Sequence, residues 1–147
     1  MNDPLPPGSQ APDPRKSFDW PVRVYYEDTD AGGVVYYANY LKYLERARTE
    51  WLRALGFEQD ALLARDIVFA VRRVEIDYRR PARFNQRLVV RSRLAEVGRA
   101  RLVFDQRVLH DEATLVTARV QVACLSASAF RPRPLPDDIR EGVLSVC

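Results

Sequence analysis

A chain of 147 residues, 47% hydrophobic and 29% charged, has room for one domain with a core of its own and needs no disulfide or zinc staple. The formal net charge of +3 rests on 23 basic residues, 21 of them Arg, interspersed with 20 acidic ones; that excess is too small to single out a nucleic-acid partner. No run approaches the ~20 apolar residues that span a bilayer, Cys124 and Cys147 lie far apart outside any CxxC pattern, and the first residues lack the apolar stretch of a secretory signal, so the expected setting is the cytoplasm.

Residues 1–17 hold five of the ten prolines and no apolar periodicity, and are expected to form a disordered tail. FDWPVRVYYE (18–27) is aromatic and β-branched and predicts a strand, with Pro21 near its start. DTDAGGVVYYA follows as a loop with paired glycines. Tyr40, Leu44, Ala47, Trp51 and Leu55 then recur at steps of three and four, which predicts a helix over 39–55, with Asn39 as N-cap and Gly56 just past its end. A short second helix is expected over 58–65. From there the period changes to two. Val68, Ala70, Val74, Ile76 and Tyr78 are expected on one face of a strand. Leu88, Val90, Ser92 and Leu94 share a face of the next, then Leu102, Phe104 and Val108, then Val116, Ala118, Val120, Val122 and Cys124. Short turns between them describe an antiparallel meander. Residues 130–147, with three prolines, should be irregular or weakly helical; the domain is drawn over 18–140, with 141–147 as a C-terminal tail. One apolar helix and one antiparallel sheet give an α+β domain in which the sheet curls around the helix.

Chemistry concentrates in the first loop, where Glu27, Asp28 and Asp30 precede Gly32, Gly33 and a helix start. Three readings fit that pattern. Carboxylates before a helix favour the positive end of its dipole, and Asp-Gly loops are ordinary turn chemistry. A hard-metal site would need further oxygen ligands, and the sequence offers no second cluster. The third reading is acyl chemistry, with one carboxylate as nucleophile or base and backbone N–H groups at the helix start holding an oxyanion. GxSxG is absent, and the single histidine, His110, falls in a polar turn between two strands.

The run VRVYYEDTDAGGVVYYANYLKYLERARTEWLR resembles the signature of the 4-hydroxybenzoyl-CoA thioesterase type of hotdog protein, and in particular its YbgC-like branch, the Tol-Pal-associated acyl-CoA thioesterases of bacteria. The likeness extends through VRRVEIDYRRPARF, RLVFDQRV and FRPRPLP, covering roughly residues 20–140. The resemblance implies a hotdog fold, a long helix wrapped by an antiparallel sheet of about five strands, in a homodimer or homotetramer with active sites between subunits. It implies hydrolysis of a short-chain or aromatic acyl-CoA, with no metal and no cofactor beyond the coenzyme A of the substrate; an acyl-carrier protein is the alternative thiol carrier. By position, Asp30 matches the catalytic carboxylate, Tyr37 the residue whose backbone N–H faces the thioester carbonyl, and Gly33 the glycine that turns the loop. Arg79, Arg80, Arg131 and Arg133 are the candidates for CoA phosphates. The branch commonly carries His or Phe where this chain has Tyr37, a change that a backbone role survives. The competing expectation is a hotdog module that binds an acyl-CoA or acyl carrier without turning it over.

Overall fold

Alternating β-branched and polar residues build one antiparallel sheet in the computed structural model, which describes residues 16–146. The expected disordered tail lies outside the described residues except for its last two, and so does Cys147. The strands are β1 (Phe18–Arg23), β2 (Ile67–Tyr78), β3 (Arg87–Val97), β4 (Arg101–His110) and β5 (Ala113–Ser126), with a two-residue β6 (Arg131–Pro132) paired to the end of β5. Their order in the sheet is β1-β3-β4-β5-β2. Strands β3, β4 and β5 form the meander that the short turns announce. β2 does not continue it but crosses to the far side of β5, so β1 and β2 form the two edges. Pro21 pairs with Val89 in the middle of β1, tolerated because β1 is an edge where a missing N–H can face outward.

The alternation in β2 is broken by one residue. Val71 and Arg73 pair with the consecutive residues Val122 and Gln121, leaving Arg72 as a bulge. An extra residue flips every side chain beyond it. Phe69 and Val71 therefore oppose Cys124 and Val122, and Val74, Ile76 and Tyr78 oppose Val120, Ala118 and Val116 on that same face. Val68 and Ala70, expected on one face with Val74, Ile76 and Tyr78, lie on the other.

Helix α1 (Asn39–Ala54) packs on the concave side of the sheet, burying Tyr40, Tyr43, Leu44, Ala47, Trp51 and Leu52. Trp51 meets Phe104 of β4 edge-on at 5.1 Å between centroids. Gly56, at φ 96°, ends the helix: its N–H reaches the Arg53 carbonyl and that of Phe57 reaches Leu52. Helix α2 (Gln59–Ala64) follows directly and leads into β2. A third helix, α3 (Asp137–Leu144), buries Ile139 and Val143 and runs through the boundary drawn after residue 140. Ser92 and Gln106 are the buried polar residues of the described core. The Gln106 amide donates to the Leu44 carbonyl at 3.0 Å and to Ser92 Oγ at 2.9 Å, and its own oxygen accepts from Arg48 at 3.0 Å. No helix among the described residues is long and apolar enough to cross a membrane.

Candidate active site

The loop between β1 and α1 is built around Asp28 and Asp30. A single 3-10 turn (Tyr26–Asp28) bends the chain away from β1. The Asp28 carboxylate then accepts from the Tyr25 N–H at 2.9 Å, while its carbonyl accepts from the Tyr36 N–H at 2.9 Å and from the Asn39 side-chain amide at 2.8 Å. Asp28 thus ties the strand end, the loop and the helix start together. Asn39 is the first residue of α1 rather than its N-cap; position 38 is alanine in helical geometry, and the Asn39 amide is spent on the loop instead.

Beyond Asp28 the chain makes a tight hairpin. The Asp30 N–H donates to the Val34 carbonyl at 2.9 Å and the Gly33 N–H to the Asp30 carbonyl at 3.0 Å. Gly33 sits at φ 76°, the left-handed region that glycine enters without a Cβ penalty. The Asp30 side chain curls back so that Oδ1 accepts the Gly32 N–H at 2.8 Å. A Cβ at Gly32 would stand 3.3 Å from that oxygen, so this position also favours glycine. The hairpin is pinned to the β2–β3 connection by the Val35 N–H on the Ala82 carbonyl at 2.8 Å and by a bridge from Val34 to Arg83. Asp30 is exposed, on a loop tied by these hydrogen bonds.

Tyr37 stands where α1 begins. Its backbone N–H has no hydrogen-bond partner among the described residues. Its carbonyl accepts from the Tyr78 hydroxyl at 3.3 Å, and its ring leans on Tyr36 and meets Tyr78 edge-on at 6.2 Å. Tyr40, one turn on, accepts the Ala82 N–H at its buried hydroxyl, at 3.0 Å. Exposed Tyr26 and Phe84 complete an aromatic rim around the hairpin. Asp30 and Gly33 bond within one hairpin, and Tyr37 follows it at the start of α1; the sequence did not reveal Tyr78 or Ala82, which arrive from the end of β2 and the connection after it.

The four arginines fall into two pairs. Arg79 and Arg80 follow β2 at the Tyr78 end, their N–H groups sharing the Leu115 carbonyl, with the Arg79 side chain on Asp77 at 3.3 Å. Arg131 and Arg133 lie beside the opposite end of β2, where Arg133 donates to the carbonyls of Arg65 and Asp66 at 3.4 Å. One chain alone does not bring the two pairs to one place. His110 closes β4 at a two-residue turn made by Asp111 and Glu112, both at positive φ.

A glycine-turned hairpin leading into a central helix, and a single antiparallel sheet packed around that helix, define a hotdog protein. The chain belongs to the thioesterase-like superfamily, whose family model matches residues 24–143. It is 47% identical over 123 residues to the acyl-CoA thioester hydrolase YbgC of Escherichia coli O6:H1, spanning 83% of this chain and 92% of that protein. It is 44% identical over 124 residues to the acyl-CoA thioesterase YbgC of Haemophilus influenzae, spanning 84% of this chain and 91% of that one. Among solved structures, a probable thioesterase from Bartonella henselae superposes with a TM-score of 0.77 at 41% identity, covering 82% of this chain and 99% of that chain.

Proposed function

We propose that this protein hydrolyses the thioester of an acyl-CoA, with Asp30 as the reacting carboxylate. The observation that carries the reading is one short loop that presents both an exposed Asp30, its carboxylate held by the Gly32 amide, and, where the loop enters α1, a Tyr37 N–H with no partner among the described residues. Relatives named as acyl-CoA thioesterases, matching over more than four-fifths of the chain, support it.

Two routes use the same groups. As a nucleophile, Asp30 adds to the thioester carbon and the CoA thiolate leaves with the electron pair, giving a mixed anhydride that water then cleaves to free acid and the restored carboxylate. As a general base, Asp30 takes a proton from water as the water oxygen adds to the same carbon; the tetrahedral adduct then expels the CoA thiolate with the C–S electron pair, and the proton passes from Asp30 to the leaving thiolate, restoring the carboxylate. In either route the carbonyl oxygen gains negative charge. The Tyr37 N–H would donate to it, a contribution of about 3 kcal/mol to the transition state, and the positive end of α1 favours the same charge. Gly33, at positive φ, closes the tight hairpin that carries Asp30 toward the start of α1.

The site takes its full form in a homodimer, or a homotetramer made of two. β2 is an edge strand, and antiparallel pairing of β2 with a second copy about a two-fold axis sets the Tyr78 end of one copy beside the Ile67 end of the other. Arg79 and Arg80 of one copy then approach the region of Arg131 and Arg133 in the next, a composite cluster suited to CoA phosphates. The acyl group is short-chain or aromatic, carried on CoA, with an acyl-carrier protein as the alternative thiol carrier.

The test is thiol release from a panel of short, long and aromatic acyl-CoAs, and from the same acyl groups on an acyl-carrier protein, with wild type beside Asp30→Asn. Release by wild type and a loss of about a hundredfold or more in the variant, with the fold retained, is expected. Release undiminished in the variant would remove Asp30 from the chemistry. No release by an intact wild type, together with binding of uncleaved acyl-CoA, would make the protein a binding module.

A further inference from the structure

A cavity of 190 Å³ lies between α1, α2 and the β2 side of the sheet, away from the Asp30 hairpin. Its sheet wall is apolar, with Phe69, Leu102 and Phe104, and its helix wall is polar, with Glu45, Arg48 and Thr49. That volume equals roughly six waters at about 30 Å³ each. It is below the ~300 Å³ at which pockets for drug-sized ligands begin. It is therefore too small for coenzyme A and of a size for a short acyl chain.

The anomaly in this cavity is Arg48. A guanidinium carries five N–H donors. The structure gives Arg48 one hydrogen bond, to Gln106 Oε1 at 3.0 Å, and no carboxylate pairs with it among the described residues. Burial pushes it down to about 10, still charged at neutral pH, and Glu45 one turn earlier opposes that only at longer range. Gln106 cannot turn to relieve it, because its amide is committed to the Leu44 carbonyl and Ser92 Oγ. The amide thus holds one N–H of the guanidinium and leaves the others without a partner among the described residues. A half-buried cation with spare donors beside an apolar wall is satisfied by an oxygen acceptor that arrives on an apolar stem.

We propose that this cavity receives the far end of the substrate's acyl group and that Arg48 selects acyl groups carrying an oxygen acceptor, a keto group or a carboxylate, at that end. The inference rests on the thioesterase reading. Phe69 lies near one end of β2 and Tyr78 at the other, so the two-fold pairing of β2 places the cavity of one copy beside the Asp30 hairpin of the next. An acyl group held at Asp30 of one subunit would extend into the cavity of its neighbour.

The experiment compares three acyl-CoAs of similar length, hexanoyl, 5-oxohexanoyl and glutaryl, on wild type and on Arg48→Met. Wild type is expected to favour at least one of the oxygen-bearing groups over hexanoyl by tenfold or more in kcat/KM, and Arg48→Met to bring that ratio close to one. A wild type that prefers hexanoyl to both, or a ratio unchanged in Arg48→Met, would overturn the proposal. The wild-type comparison needs no variant, so it decides even if Arg48→Met does not fold. Calorimetry of the same three intact thioesters with Asp30→Asn gives the ranking without turnover. A ranking by oxygen that persists there while wild type releases no thiol would sink the hydrolase reading and keep the site; equal affinities would sink the site itself.

Discussion

Tyr43 carries a buried side-chain hydroxyl that has no hydrogen-bond partner among the described residues. Burial, and then the neighbouring Asp28 carboxylate, raises its pKa. A buried hydroxyl left unpaired costs about 1–3 kcal/mol relative to a paired one. Tyr43→Phe removes that cost and keeps the ring, so its urea midpoint is expected to rise, by about 1 kcal/mol in stability. A loss of similar size would instead mean that the hydroxyl donates to Asp28 in solution. Gly33 gives the opposite expectation. Nothing lies within 4 Å of a Cβ built there, so Gly33→Ala meets no clash, only the strain of φ 76°. The expected destabilisation is about 1 kcal/mol, with a larger loss of thiol release as Asp30 swings away from Tyr37. Full activity in a destabilised Gly33→Ala would detach the tight turn from the chemistry. The Asp30 hairpin was legible because its turn chemistry is local: Asp30, Gly32 and Gly33 bond one another. The grip on it was not. Asn39 reaches back 11 residues to Asp28, Tyr78 donates to Tyr37 across 41, and Arg48 meets Gln106 across 58. Partners at those separations leave no periodic trace in a sequence.

At the scale of elements, the buried stripe of α1 and the glycine past its end were legible because both are local signals, whereas its cap was not: Asn39 is the first helical residue and spends its amide on Asp28. The path of β2 did not. Arg72 looks like any exposed arginine, yet as a bulge it turns Phe69 and Val71 toward the cavity and Val68 and Ala70 away from it. Nothing in the alternation before or after it announces the flip. The joint between α2 and β2 is held by Asp66, which sits at φ 62°. Its carboxylate accepts from Ser126 Oγ at 2.6 Å and from Ser128 through N–H at 2.7 Å and Oγ at 3.0 Å. These bonds hold Asp66 below the usual carboxylate range, the Ser126 hydroxyl foremost. A depressed folded pKa gives stability that is present above the unfolded value, near 3.8, and is lost as pH falls through the folded one. Asp66→Asn tolerates the same backbone but carries no charge. Wild type is therefore expected to exceed Asp66→Asn in urea midpoint at pH 7, and the gap should be smaller at a pH well under the unfolded value. A gap of equal size at both pH values would show that the charge contributes nothing.

At the scale of the molecule, the two sheet edges are not alike. β1 has six residues and is blunted by Pro21, whereas β2 runs for twelve, about 40 Å at 3.4 Å per residue, with a row of backbone groups open to pairing. An edge that long attracts other chains unless something covers it, and half-exposed Val71 and Ile76 give it apolar as well as polar character. The proposed occupant is a second copy, which explains why one chain leaves its arginine pairs at opposite ends of β2 and its cavity distant from Asp30. The sheet order, and with it this free edge, could not be read from the sequence: alternation identifies a strand but not its neighbours. Light scattering is expected to give twice or four times the 16.9 kDa of the chain. Val71→Lys introduces a charge beside Arg72 and Arg73 on the pairing edge, where a two-fold axis brings like charges together. Its mass should fall to that of one chain with the circular dichroism of the wild type. Thiol release should fall with it, by tenfold or more, because each Asp30 loses the cavity and the arginines of its neighbour. A folded monomer that releases thiol at the wild-type rate would show that one chain holds the whole site, and would break the argument for pairing along β2.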